Sequence, residues 1–595
     1  MTQTATIPPR RSLLRSLPFA LLTAVVFLPA QLSSQDLAQE HIGFPVDWSS
    51  RHILYGNAGS VEQRVAASRD PRFYFNWLRQ TAPLIASRDR IFGRGPGEVP
   101  VPVSKRLKHM RVDWAMSLGA GGMPVGETPA KYSFNLNTYS CANDFVVYTI
   151  GTTPSATQAN IVAFNNLYVG TTSSSCPYGP QTPPTTDYTQ PTFMWAYQAG
   201  SNPSYLSPTL SLNGSQIAFV ENGNPAYLDV LTWVSGQGTS TTAPATPGSG
   251  GSALTRLSYT TAGSGACNSS AENDNSSPYV DYGSNSAYIG ANNGILYRIS
   301  NIFGGTPAVE YCVTVNAGKY LTSPVYDEVT NQVFVSDGYS VYSFTPGTSG
   351  FTAGGKIAVA SASASDPIVL SPIVDTVNGF VYVFSAADST NTYSMVSQMN
   401  LALTSQATAD IGPKASQYIL DGDFDNTYYT VGPMGGLGTL YACGTQTGAA
   451  TKPALYALSF SAPNGIMNST PVMSDNVHIN GSSNPAGSCS PLLDFYDGTN
   501  DRLFVGTGDY TGTGGANLVT QWNSNTQLNS SSDTPANTAS GYWGGTSAFS
   551  VDNINPTPQA TSIYFGTLAA PPSGTTTPCG AGNFCAVKLT QSGLQ

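Results

Sequence analysis

Charge is scarce in this chain. Only 10% of its 595 residues are Asp, Glu, Lys or Arg, against about 25% in ordinary globular proteins. What charge there is falls unevenly. Residues 1–131 hold 16 bases and 9 acids, a balance of +7, whereas 132–595 hold 8 bases and 25 acids, a balance of −17. So acidic a body excludes nucleic acid as its partner, because phosphate binding needs a positive face. Histidine, the usual proton carrier near neutral pH, occurs four times, as His41, His52, His109 and His478. No two cysteines are adjacent, and neither C-x-x-C nor C-x-x-C-H occurs, which speaks against zinc ribbons, thioredoxin-type chemistry and c-type haem. HExxH, phosphate-loop and dinucleotide-binding signatures are missing as well. Beyond residue 30 no apolar run is long enough to cross a bilayer.

In place of charge stand 60 Gly, 32 Tyr and many Ser, Thr and Asn, with 40% apolar residues overall. That composition suits a β-rich exported protein kept soluble by hydroxyls and amides. Its start agrees. Arg10, Arg11 and Arg15 precede the 14-residue apolar stretch "LPFALLTAVVFLPA" (17–30), the pattern of a signal peptide with Ala30 as the last residue removed. "RRSLLR" (10–15) resembles a twin-arginine signal, although the strongly apolar core favours the general secretory route. The eight cysteines (Cys141, Cys176, Cys267, Cys312, Cys443, Cys489, Cys579 and Cys585) all lie in the exported part. We expect disulfides between sequential pairs. The charge shift divides the chain into a signal peptide (1–30), a basic, partly helical and irregular N-terminal region (31–130) and an acidic body (131–595).

The body repeats a phrase. "LSPTLSLNGSQIAFVE" (206–221), "SSPYVDYGSNSAYIGANNGILYRI" (276–299), "TSPVYDEVTNQVFVSDGYSVYSF" (322–344), "LSPIVDTVNGFVYVFSA" (370–386) and "CSPLLDFYDGTNDRLFVGTG" (489–508) share a Ser-Pro opening and a later apolar strand. "TSAFSVDNINPTPQATSIYFG" (546–566) keeps the pattern with Ala548 for Pro. Weaker copies begin near 140 and 420. Ser-Pro sites at 277, 323 and 371 lie 46 and 48 residues apart. Four short strands per period of about 45 residues define a β-propeller blade. One blade cannot bury both its faces, so the phrase must recur. The fold class is therefore all-β: a single closed propeller of about eight four-stranded blades, with seven as runner-up. The last unit shows three strands, and "KYSFNLN" (131–137) is expected to supply the fourth and close the ring.

These repeats, "SPVYDEVTNQVFVSDGYSVYSF" above all, resemble those of quinoprotein-type (pyrroloquinoline-quinone-like) propellers. The stretch "PAKYSFNLNTYSCANDFVVYTIGTTPSATQANIVAFNNLY" is similar to an uncharacterised group of secreted bacterial propellers. The resemblance implies the fold. Quinone-dependent dehydrogenases of that fold hold their cofactor against adjacent cysteines, a stacking Trp and a calcium with acidic ligands. This chain lacks the adjacent cysteines and the acidic cluster, so no cofactor is expected and dehydrogenase activity is not implied.

No catalytic, cofactor-binding or metal residue is assigned from sequence. Asp421, Asp423 and Asp425 in "DGDFDN" resemble the opening of a calcium loop, but Asn426 replaces its Gly and no Glu follows at position twelve. A solvated turn is the simpler expectation. His478 in "SDNVHING" reads as a loop histidine, "GAGGM" (119–123) as a hinge, and Tyr542–Trp543 in "GYWGG" as a seal where the ring closes. In "SVEQRVAASRDPRFYFNWLRQTAPLI" (60–85) apolar residues recur three and four apart, which predicts one or two short helices. They are expected to brace one edge of the propeller. The leading functional expectation is a monomeric binding or scaffolding protein, periplasmic, cell-surface or extracellular. It would present loops and a central funnel to an unknown protein or polysaccharide ligand. The alternative is an extracellular polysaccharide hydrolase or lyase with Asp and Glu from several blades in the axial pocket.

Overall fold

The computed structural model describes residues 43–55, 70–73, 75–76, 110–135, 139–169, 176, 190–269, 272–365, 367–416, 418–475, 487–496, 501–508, 518–523, 535–540, 542–552, 562–571 and 579–591. Eight antiparallel sheets follow one another along the chain as the blades of a β-propeller. Blade 4 shows why its sequence folds so. Val325–Asp327, Gln332–Ser336, Ser340–Pro346 and Phe351–Ala358 pair in order, with Val325 opposite Phe334. The turn between the first two strands is made by Asp327, whose carboxylate accepts from the Val329 amide (3.0 Å) and the Thr330 hydroxyl (2.5 Å). Asn331 then turns the chain with φ 53°, a left-handed conformation that Asn and Gly tolerate best. Asn285 in blade 3 and Gly379 in blade 5 hold the same place with φ 51° and 79°.

Burial falls along the radius. The inner strands of blades 3, 4 and 5 (Tyr279–Asp281, Val325–Asp327, Ile373–Asp375) are wholly buried, whereas the outer strand Phe351–Ala358 alternates toward solvent. Apolar side chains from neighbouring blades interleave into shared clusters; Tyr288, Val333, Phe334 and Val381, for example, belong to one cluster spanning blades 3 to 5. Repetition thus builds the core.

The ring closes on a strand that the sequence did not announce. β1 (Phe44–Val46), β2 (Ile53–Leu54), β3 (Met110–Gly119) and β4 (Ala130–Ser133) precede the repeats. β3 pairs with Phe584–Gln591 as the outer strand of blade 8. β4, in the stretch expected to close the ring, is instead the inner strand of blade 1, paired with Phe145–Thr149. The Gly-rich link from β3 to β4 is no loose hinge either. Gly122 packs against Phe584 and the Thr567 carbonyl so closely that a Cβ would collide with both.

Four disulfides pair the cysteines sequentially: Cys141–Cys176, Cys267–Cys312, Cys443–Cys489 and Cys579–Cys585. Cys443–Cys489 ties blade 6 to blade 7, since its halves lie on Leu440–Gln446 and Ser488–Cys489.

Candidate functional site: the axial bore

Eight inner strands enclose a bore, and this chain fills it with its own N-terminal segment. All thirteen residues from 43 to 55 are buried. β1 pairs antiparallel with β4 of blade 1, placing Phe44 opposite Ser133. β2 pairs parallel with Ile373–Asp375 of blade 5, placing Ile53 opposite Val374. In a ring of eight consecutive blades the first and fifth face each other, so the segment crosses the bore from wall to wall.

Between the two strands the chain turns through a short 3-10 helix, Trp48–Arg51. Asp47 caps it, accepting from the Ser49 amide (2.9 Å) and hydroxyl (2.6 Å). The turn aims side chains at three further blades. Trp48 Nε1 donates to the Pro278 carbonyl of blade 3 (3.2 Å). Arg51 donates to the Leu492 carbonyl of blade 7. His52 Nε2 meets Asp421 Oδ2 of blade 6 at 2.6 Å, and its Nδ1 lies 2.8 Å from the Trp48 carbonyl.

Residues 70–73, 75 and 76 brace this plug from behind. Arg72 donates to Asp70 from Nε and Nη2 (2.8 and 2.6 Å), to Ser49 Oγ (2.8 Å) and to the Val280 carbonyl (2.6 Å). Its guanidinium also lies over the Tyr279 ring, 4.1 Å from the centroid. Asn76 Nδ2 donates to the Ile53 carbonyl (3.0 Å). Within the stretch expected to be helical, residues 71–73, 75 and 76 are helical; its remainder lies outside the described residues. Burial pushes the Asp47 carboxyl above its usual range despite Arg72 nearby.

The Ser-Pro phrase gains a physical meaning at the bore. Ser207 N donates to Ser277 Oγ (3.0 Å), and Ser277 N donates to Ser323 Oγ (2.7 Å), so serines of blades 2, 3 and 4 link from one blade to the next. The Pro that follows has no N–H to leave unpaired. Glu127 joins them, accepting from the Ser207 amide (2.7 Å) and from the hydroxyls of Ser207 (2.6 Å) and Ser277 (3.2 Å). Burial raises its carboxyl.

The candidates named from sequence disperse. Asp421, Asp423 and Asp425 are buried rather than solvated, and each does a separate task. Asp421 binds His52, Asp423 accepts from the Asp494 amide (2.9 Å), and Asp425 caps the helix Asn426–Thr430 through the Tyr428 amide (2.8 Å). Among the described residues no group of three or more His, Cys, Asp or Glu is arranged to hold a metal ion. His41, His109 and His478 lie outside the described residues. Tyr542 is buried with its ring edge-on to Phe565 of blade 8, centroids 5.0 Å apart. The funnel expected to face a partner, and the axial pocket expected of a hydrolase, are both taken by the plug. Its signal in the sequence was the capping pattern Asp-Trp-Ser-Ser between two apolar pairs.

The fold and bore define an eight-bladed propeller sealed along its axis by its own chain. No family model and no curated protein matches it. Among solved structures it is similar to BamB from Moraxella catarrhalis, with 10% identity, TM-score 0.39, and coverage of 81% of this chain and 100% of that one. Sqt1 of Saccharomyces cerevisiae has 11% identity, TM-score 0.44 and coverage of 80% and 98%. A putative 6-phosphogluconolactonase from Bacteroides uniformis has 15% identity, TM-score 0.38 and coverage of 67% and 99%. At this level of likeness no partner or activity carries over.

Proposed function

We propose that this chain is an exported binding or scaffolding protein that meets a protein partner through one elaborated face rather than through its bore. Export is supported by the signal-like start and by four disulfides, which persist in oxidising compartments. Among the described residues no helix is long and apolar enough to cross a membrane. The quinoprotein-type character of the repeats belongs to this proposal as their ancestry, not as a cofactor site.

The carrying observation lies on blade 6. Where blades 3, 4 and 5 have tight turns between their first two strands, blade 6 inserts the helix Asn426–Thr430 and the 3-10 turn Pro433–Gly435. It adds a small hairpin, Phe460–Ser461 with Ile466–Met467. Gly432 packs beside Asn378 of blade 5, and Met434 beside Gly465 of the hairpin. Around these contacts Val377, Val431, Met434, Leu437 and Ile466 are exposed. Residues 426–438 and 460–467 contain no charged side chain. A contiguous apolar patch on a protein this polar marks an interaction surface. Aliphatic side chains fit a protein better than a polysaccharide, which would stack on aromatic rings.

The test is a photo-crosslinking residue at Leu437 of the full chain in its native envelope, with a second at the exposed Tyr393 as control. The proposal expects one protein adduct of defined mass at 437 only, lost when Val431→Asp is added. Equal adducts at both positions, or none at 437, would overturn it. An adduct between two copies of the chain would replace the monomer reading with a dimer.

A further inference from the structure

Two lysines of the acidic body lie where water does not reach. Lys131 and Lys588 are each 0% exposed, and both stand at the seam between blades 8 and 1. Lys131 lies on β4 and Asp552 on the inner strand of blade 8, Ser550–Asp552. Lys131 Nζ is 2.9 Å from Asp552 Oδ2, with each side chain 1% exposed. The Tyr168 hydroxyl lies 3.3 Å from Lys131 Nζ and 3.4 Å from Asp552 Oδ2, and donates to Asp144. Lys588 Nζ is 3.3 Å from Asp113 Oδ2 and donates to the Leu167 carbonyl at 2.9 Å. Trp114, Tyr148 and Tyr564 pack in the same buried cluster as Tyr168.

Holding opposite charges in such a place carries a large desolvation cost before their attraction is counted. An amine and a carboxyl fixed in contact without water have another course open to them. We propose that Lys131 and Asp552 join through an amide bond between Nζ and Cγ, a covalent staple across the seam that closes the ring. The amine lone pair attacks the carbonyl carbon of the protonated carboxyl. The new N–C bond forms, one C–O bond breaks, and the hydroxyl leaves with a proton from nitrogen as one water molecule. No oxidant, reductant or other reactant enters. Tyr168, in contact with the amine, the carboxyl and Asp144, lies where that proton must pass.

The surroundings favour the reactive form of the carboxyl. Burial raises the Asp552 carboxyl above its usual range, against the pull of Lys131, and so favours the protonated acid. Fixed contact replaces the encounter that makes such a condensation slow in water. The product replaces the buried amine and carboxyl by one uncharged amide.

Peptide mapping of the full-length protein, reduced, alkylated and digested with trypsin, tests for the bond directly. The expected result is a linked pair of peptides, one containing Lys131 and the other Asp552. Its mass equals their sum less one water, with no cleavage after Lys131. Lys131→Arg should abolish that species. Recovery of the two peptides separately at full mass would overturn the proposal and leave a buried ion pair. A link at Lys588 and Asp113 would overturn the assignment to Lys131. Should Lys131→Arg fail to fold, the wild-type digest alone still separates the linked species from the free peptides.

Discussion

His52 and Asp421 meet at 2.6 Å inside the ring, although 369 residues separate them in the chain. The opposite ring nitrogen of His52 faces the Trp48 carbonyl at 2.8 Å. Both neighbours are oxygen atoms that face the two ring nitrogens, and the contact holds the plug to blade 6. Removing one member of a buried pair strands the other. Asp421→Ala leaves the buried Nε2 of His52 without its partner and should cost about 1–3 kcal/mol, read as a lower midpoint in denaturant. A midpoint unchanged from wild type would mean that the plug hangs on its strand pairings alone.

The disulfides should differ in worth by the lengths of chain they close. Cys443–Cys489 spans 46 residues and Cys579–Cys585 spans 6. Loop-closure entropy then gives about 4 kcal/mol for the first and about 2 kcal/mol for the second. Replacing each pair by serines in turn and comparing unfolding midpoints checks the order. Equal losses would show that local packing, not chain entropy, sets their contribution.

Much of this architecture was legible because each blade repeats the same local requirements. Ser-Pro at the inner strand, Asp at its end and Asn or Gly in the following turn recur within a few residues of one another. What escaped was whatever depends on residues far apart. The Asp triplet at 421–425 looked solvated, because its partners (His52 for one, the Asp494 amide for another) cannot be seen from its own stretch of sequence. β3 went unrecognised as a strand because "MRVDWAMSLG" carries Asp113 in its midst, and the cation beside that charge, Lys588, stands on a strand at the far end of the chain. The plug contributes just five strand residues, β1 and β2, and its side chains find their partners on blades 3, 6 and 7. Short-range pattern cannot reveal a segment whose meaning is supplied by a closed ring.

Trp114 on β3 ties the closing strand to both blades at the seam. It is 1% exposed, its ring lies 6.1 Å from Phe164 of blade 1 and 5.8 Å from Tyr564 of blade 8, and Nε1 donates to the Leu167 carbonyl at 3.2 Å. Trp114→Ala should cost about 3–5 kcal/mol. Because β3 comes from the front of the chain and its partner strands in blade 8 from the far end, the loss should appear first at that blade. Amide exchange is expected to rise in Phe584–Gln591 before blades 3 to 5 respond. A uniform rise around the ring would instead mean that the propeller opens as one unit.

Asp327 sets a dependence on pH. Burial raises its carboxyl from the ordinary range near 4 to about 6, with the Thr330 and Val329 hydrogen bonds working against burial and Asp375 adding to it. The folded protein therefore holds this proton more tightly than the unfolded chain does. The stability it contributes is full below about pH 4 and is lost as pH rises through about 6, on the order of 3 kcal/mol in all. Burial pushes Asp375, Asp425 and Glu127 in the same direction, so the trend should exceed what one residue gives. Asp327→Asn keeps an acceptor for the Val329 amide and removes the titration. Its denaturation midpoint should fall less than that of wild type between pH 4 and pH 7. Parallel curves for the two proteins would show that Asp327 ionises in the folded state as freely as in water.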